Sequence, residues 1–253
     1  MNSLRRPTTR TDPSKKTTRS LAKIGINPDY TGIAGGLKPC AVRGRGFPFW
    51  WLLLAKRDRD IPEHRQDHAA FFATRLPQLV GSPLSVNALR EDLQVTHKAV
   101  SRWVTILERL YAIFRLSSFG APRIRAVNKA RKHYHVDWSL VDEEGPRFEN
   151  LVASHLLKWV HYRPDTEDRE IGLRYFRDVD RREVDFALLE DGKPRSFIEC
   201  KVGDAPVSRG LRYLLERFPD CEAWQISLKD TKDFETPEGI RVCPAIGFLR
   251  RLV

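Results

Sequence analysis

The chain has 253 residues, with 44 Lys and Arg against 33 Asp and Glu, a formal net charge of +11 and a pI near 9.7. That length can bury a good core and suits two small domains plus a tail, and the basic balance points to a polyanionic partner. Four cysteines, at 40, 200, 221 and 243, lack C-x-x-C spacing, which argues against structural zinc and disulfides and for a reducing cytoplasm. The longest apolar run, Phe47 to Ala55, is too short to cross a bilayer, so no membrane partner is expected.

Residues 1–45 open as MNSLRRPTTRTDPSKKTTRS, basic, Thr/Ser-rich and almost free of acids, which predicts a disordered tail. Its composition overlaps with that of a transit peptide, but Pro7 and Pro13 argue against a continuous amphipathic helix. No G-x-x-x-x-G-K-[ST] phosphate loop occurs anywhere. Gly35-Gly36-Leu37-Lys38 lacks the loop length and the Ser/Thr metal ligand, so ATP is not expected as a cofactor. Residues 46–80 hold the apolar run around Trp50 and Trp51, then KRDRDIPEH at Lys56 to His64.

Residues 81–142 read as a winged helix. Ser85 can cap one helix that runs through Asp92, Gln94-Val95 make a break, and Thr96 can cap the next. On the second helix Val100, Trp103, Val104, Leu107 and Leu110 form an apolar stripe. Lys98, Ser101, Arg102 and Thr105 lie mostly off it, where they suit phosphate and base-edge contacts; the same face could equally be solvated or pack on a neighbouring domain. A strand at 112–116, a loop at 117–122 and a strand near 133–136 complete the unit.

Residues 146–253 read as an α/β domain. PRFENLVASHLLKWV from Pro146 carries Phe148, Leu151, Val152, His155, Leu156 and Trp159 at helical spacing. Glu149 falls in its first turn, where an acid is also favoured by the helix dipole alone. A strand at 173–176, a hairpin at 183–202, a helix at 208–218 and a strand at 223–227 follow.

The hairpin EVDFALLEDGKPRSFIECKV turns at Asp191-Gly192, a strong two-residue hairpin signal. Folding about Gly192 sets Asp185 opposite Glu199, with Lys201 one pleat further on the same face. Mg²⁺ takes one or two carboxylates, keeps several waters and lets substrate phosphate complete its shell. Asp185 and Glu199 could supply those carboxylates and the Cys200 carbonyl a further oxygen, while Lys201 orients the attacking water. A hairpin with a charged, solvated face is the plainer alternative.

The order helix, strand, hairpin, helix and strand, with Glu, Asp and Glu-x-Lys, resembles the PD-(D/E)xK nuclease-like fold. FENLVASHLL, YFRD, REVDFALL, IECK and GIRVCPAIGFL more closely resemble the uncharacterised C-terminal module of prokaryotic AAA-type ATPases, in which a winged helix precedes such a domain. The resemblance implies an α/β fold with a mixed sheet flanked by helices. It places metal-binding acids at Asp185 and Glu199, a catalytic lysine at Lys201 and an assisting acid at Glu149, with Mg²⁺ or Mn²⁺ as cofactor. It also makes 46–80 a remnant of the region linking ATPase to winged helix, so the chain reads as a truncated relative that does not hydrolyse ATP. Two functions follow as expectations: a metal-dependent nuclease acting on nucleic acid, DNA before RNA, or a non-catalytic module that docks DNA or a protein.

Charge is unevenly spread. Residues 1–25 carry seven positive side chains and one negative; 26–80 carry eight and five; 81–145 carry ten and seven. Residues 146–253 carry nineteen and twenty, so electrostatic attraction to DNA is expected from the front half.

Overall fold

The structure is a computed structural model that describes residues 68, 71–120, 131–162 and 170–252. The readings on the 1–45 tail and on the run at 47–55 lie outside the described residues.

After helical residues at 71–75 and a short 3-10 turn at Leu76–Leu79 come two helices, α1 (Val86–Asp92) and α2 (His97–Arg109). Both begin where the side-chain chemistry predicts. The Ser85 hydroxyl accepts from Ala88 N and the Thr96 hydroxyl from Ala99 N, satisfying amide groups that the helix itself leaves open. Gln94, between them, takes φ of 53°, the left-handed turn that breaks one helix from the next. The α2 stripe Val100, Trp103, Val104 and Leu107 is buried with Leu89, Leu93 and Ile113. Phe72, Ala73 and Leu76, from the stretch before residue 80, share this core, and the Phe72 and Trp103 rings meet with centroids 5.5 Å apart. Burying a side chain of this kind contributes about 1.5–3 kcal/mol, so four on one 13-residue helix outweigh its intrinsic propensity.

Strands β1 (Ile113–Leu116) and β2 (Lys132–His135) form a small antiparallel sheet, with Ile113 opposite His135 and Leu116 opposite Lys132. Every residue of β2 is buried, although its sequence is KHYH. The chain after β1 runs beside the larger sheet: Ser118 bridges Tyr175, and the Phe119 ring packs on Phe197 and Phe218.

Helix α3 (Glu144–Tyr162) follows, then β3 (Ile171–Arg177), β4 (Glu183–Glu190) and β5 (Lys193–Lys201). Helix α4 (Arg209–Arg217), β6 (Glu222–Ser227), β7 (Phe234–Glu235), β8 (Ile240–Pro244) and α5 (Ala245–Leu249) complete the chain. The six strands form one mixed sheet in the order β3-β4-β5-β6-β8-β7. β3, β4 and β5 are antiparallel neighbours, whereas β5, β6 and β8 run parallel, with α4 making the crossover from β5 to β6. The fold is therefore mixed α/β, with a small antiparallel sheet ahead of an open mixed one.

The β4–β5 turn is the one the sequence specifies: Asp191 and Gly192 take φ of 50° and 76°, the positive values a type I′ turn needs. Phe186 pairs with Ile198 and Ala187 with Phe197 before a bulge at Leu188/Leu189. Gly210 on α4 is required by close approach, because a Cβ there would run into the Glu183 carbonyl and Val184 of β4. Its bare backbone lets α4 lie directly on the strand that carries Asp185.

Candidate functional site: a lysine among carboxylates

The register Phe186 to Ile198, continued outward, sets Asp185 across from Glu199. The Cys200 backbone N–H donates to Asp185 Oδ2 at 2.8 Å. Lys201 Nζ donates to Glu199 Oε1 at 2.7 Å, while Glu199 Oε2 is buried with no hydrogen-bond partner among the described residues. Three residues singled out on the hairpin thus share one place. Glu149, on α3, is beside them: its charge and that of Glu199 act on Asp185.

The centre of the group is a side chain that the sequence reading did not single out. Lys132, first residue of β2 and only 1% exposed, sends its ammonium into the acids. Nζ lies 2.6 Å from Glu183 Oε1, 3.2 Å from Glu149 Oε1 and 3.6 Å from Asp185 Oδ1. Tyr134, two residues on and therefore on the same face of β2, donates its hydroxyl to Glu149 Oε1 at 2.7 Å. The other Glu149 oxygen lies against Gly81 (φ 78°), where a Cβ would come within 2.8 Å of it.

β2 is held here by α3. Asn150, fully buried, accepts from His135 N at 2.8 Å and donates to His135 O at 2.6 Å. One amide thus bonds both the N–H and the carbonyl of His135. Because Asn150 adjoins Glu149, the clamp also fixes the distance between Glu149 and Lys132.

The electrostatics follow from burial and charge count. Burial pushes the Asp185 carboxyl well above its usual range, and Glu149 and Glu199 push it further, against Lys132 and the Cys200 amide. Burial also raises Glu199, although Lys201 and Lys132 oppose it. Burial alone would lower both lysines. Glu149, Asp185 and Glu183 reverse that for Lys132, and Glu199 and Asp185 do so for Lys201, so both are raised and stay charged. The Cys200 thiol is pushed up, first by burial and then by the acids, which disfavours its thiolate. Glu183, about one-third exposed, has a second partner in Arg177 at 3.7 Å. With that pair set aside, three carboxyl groups, Glu149, Asp185 and Glu199, face two ammonium groups, Lys132 and Lys201.

One buried carboxylate oxygen of Glu199 has no hydrogen-bond partner among the described residues, so Asp185 and Glu199 are the residues that could hold a cation. Among the described residues, no group of three or more His, Cys, Asp or Glu side chains is arranged to hold a metal ion. The point on which Glu149, Glu183 and Asp185 converge is taken by Lys132 Nζ.

The α2 candidates form a separate group. Lys98, Arg102 and Thr105 are exposed and Ser101 is half-buried. The Thr105 hydroxyl donates to the Ser101 carbonyl, and Ser101 Oγ lies 3.3 Å from His97 Nδ1. Asp178 and Arg182 hold the turn between β3 and β4. Asp178 is 2% exposed and accepts from the backbone N–H of Asp180 and Arg182 and from Arg182 Nε. Among the described residues no helix is long and apolar enough to cross a membrane.

Two family models match consecutive parts of the chain. One, described as Domain of unknown function (DUF8612), covers residues 54–143; the other, Domain of unknown function (DUF4143), covers 144–245. Comparisons with curated proteins and with solved structures each found no match. The boundary between the two models falls at the start of α3, so Lys132 and Tyr134 lie in one matched segment and Glu149, Asp185, Glu199 and Lys201 in the other.

Proposed function

We propose that residues 146–253 form a PD-(D/E)xK nuclease-like domain that acts on or binds DNA, preceded by a winged helix whose α2 face contributes Lys98, Ser101, Arg102 and Thr105 to DNA contact. The observation that supports this reading best is the meeting of Asp185, Glu199 and Lys201 on β4 and β5 with Glu149 of α3. Asp185 and Glu199 are the residues that would hold a Mg²⁺ or Mn²⁺ ion, which when bound supplies charge neutralisation at the scissile phosphate and a more acidic water. Lys201 keeps its proton because Glu199 holds it, so it acts by orienting water and stabilising negative charge rather than as a base. Glu149 fixes Lys132 and Tyr134 against the acids.

The second reading is a binding module that does not cut, favoured by the Lys132 ammonium among the carboxylates. Cleavage of supercoiled plasmid and of single-stranded DNA separates the two, run with Mg²⁺, Mn²⁺ and EDTA on wild type, Asp185→Ala and Lys201→Ala. Metal-dependent cutting lost in both variants is the expected result. Folded protein that cuts under no condition would leave the binding module.

A further inference from the structure

We infer that Lys132 is the resident cation of the carboxylate site, and that its ammonium and a divalent metal ion exclude one another there. This rests on the reading of Asp185 and Glu199 as metal ligands. The small sheet ahead of the α/β region then supplies a built-in plug: metal enters only when the Lys132 side chain withdraws.

Four observations carry the inference. Lys132 Nζ lies within 3.6 Å of three separate carboxylates, from α3 and β4. Its side chain is 1% exposed, so it has no solvated position to share with a second cation nearby. Glu199 Oε2, on a residue 7% exposed, has no hydrogen-bond partner among the described residues, as expected of a ligand whose cation is elsewhere. The group count points the same way: three carboxyl groups, Glu149, Asp185 and Glu199, face two ammonium groups, so the site offers more oxygen donors than its lysines occupy. Two like charges in one low-dielectric spot repel strongly, so the lysine and the metal compete rather than coexist.

The exchange has a structural route. β2 pairs with β1, meets Pro83 in a bridge at Lys132 itself and is held on α3 by the Asn150–His135 clamp, so the exchange moves the Lys132 side chain while the strand stays in place. The ligand that displaces Lys132 is a hard divalent cation, alone or carried in with a phosphate group, since the groups that converge on Nζ are carboxylate oxygens.

The test uses the full chain and Mn²⁺, read by electron paramagnetic resonance. Wild type, Lys132→Met and the double variant Lys132→Met/Asp185→Asn are compared. Lys132→Met is expected to bind one Mn²⁺ at least about tenfold more tightly than wild type, and the double variant to lose that gain. Should Lys132→Met unfold in the absence of metal, Mn²⁺ is expected to restore its folding, monitored by circular dichroism. A second measurement needs no variant at Lys132. Acetylation of Lys132 by an amine reagent, followed by mass spectrometry, is expected to be slow in metal-free wild type and to accelerate with saturating Mn²⁺. Wild type that binds Mn²⁺ through Asp185 as tightly as Lys132→Met, with Lys132 still protected, would overturn the plug and leave the nuclease reading standing. Lys132→Met that binds Mn²⁺ but cuts no DNA would uphold the plug and sink the nuclease. Folded Lys132→Met that binds no Mn²⁺ would overturn both.

Discussion

The two faces of β2 bury the same kind of residue to opposite effect. On one face Lys132 is charged and lies among three carboxylates. On the other, His133 and His135 are equally buried but meet a backbone carbonyl and each other: His133 Nε2 lies 2.9 Å from Leu76 O, and the rings stand 5.8 Å apart. Burial pushes the His133 pKa down to about 4, with Arg115 helping, and burial together with His133 pushes His135 to about 3. Desolvation disfavours the cation on both faces. What decides its charge is whether carboxylates are supplied to answer it.

Removing the lysine should have the largest effect. Lys132→Met leaves buried acids without their cation, a loss of about 3–5 kcal/mol in unfolding free energy by urea titration at pH 7. A loss under about 1 kcal/mol would mean that the acids are already protonated or solvated, and the contrast between the faces would collapse.

Acid should act on the other face. The folded-state values near 4 and 3 lie below the ordinary histidine value of 6.5, so the unfolded chain takes up protons first. Stability is therefore full above pH 6.5 and is lost as pH falls toward 4, by about 3 kcal/mol for His133 alone. His133→Gln keeps a donor for the Leu76 carbonyl and cannot titrate, so its urea stability should fall less steeply over that window. Comparing it with wild type isolates the histidine, since Asp185 and Glu199, whose raised pKa values slope the other way, are common to both. Parallel curves would show that His133 is not buried as a neutral ring.

The smallest effect belongs to the exposed charge on α2. Lys98→Ala should change stability by under about 0.5 kcal/mol. If α2 meets DNA, the slope of log affinity against log salt should fall by about one, measured by fluorescence anisotropy. An unchanged slope would assign this face to solvent.

Much of the fold can be read along the chain. Ser85 and Thr96 cap because their hydroxyls satisfy amides three residues on, and Asp191-Gly192 turns because both accept positive φ; each is a local matter. The α2 stripe and the meeting of Asp185 with Glu199 follow from periodicity and a short hairpin, which leave the register little choice. β8 is less legible, since its pairing with β6 is parallel and set by a crossover, and β7 is a two-residue strand turned antiparallel onto it, too short to show a period.

Sequence by itself therefore determined the hairpin, its acids and Lys201, the helix bearing Glu149, and the capped pair α1 and α2. Tertiary structure alone decided what stands between the acids. Lys132 in KHYH carries no local mark of burial, and a lysine on a four-residue strand would ordinarily be expected in water. Its partners Glu149, Glu183 and Asp185 lie 17, 51 and 53 residues away by position, on α3 and β4. Only the packing of β2 against α3, through Asn150, brings that charge to them. A contact between distant elements depends on the whole set of packed surfaces, whereas a cap or a hairpin turn depends on a few neighbouring residues.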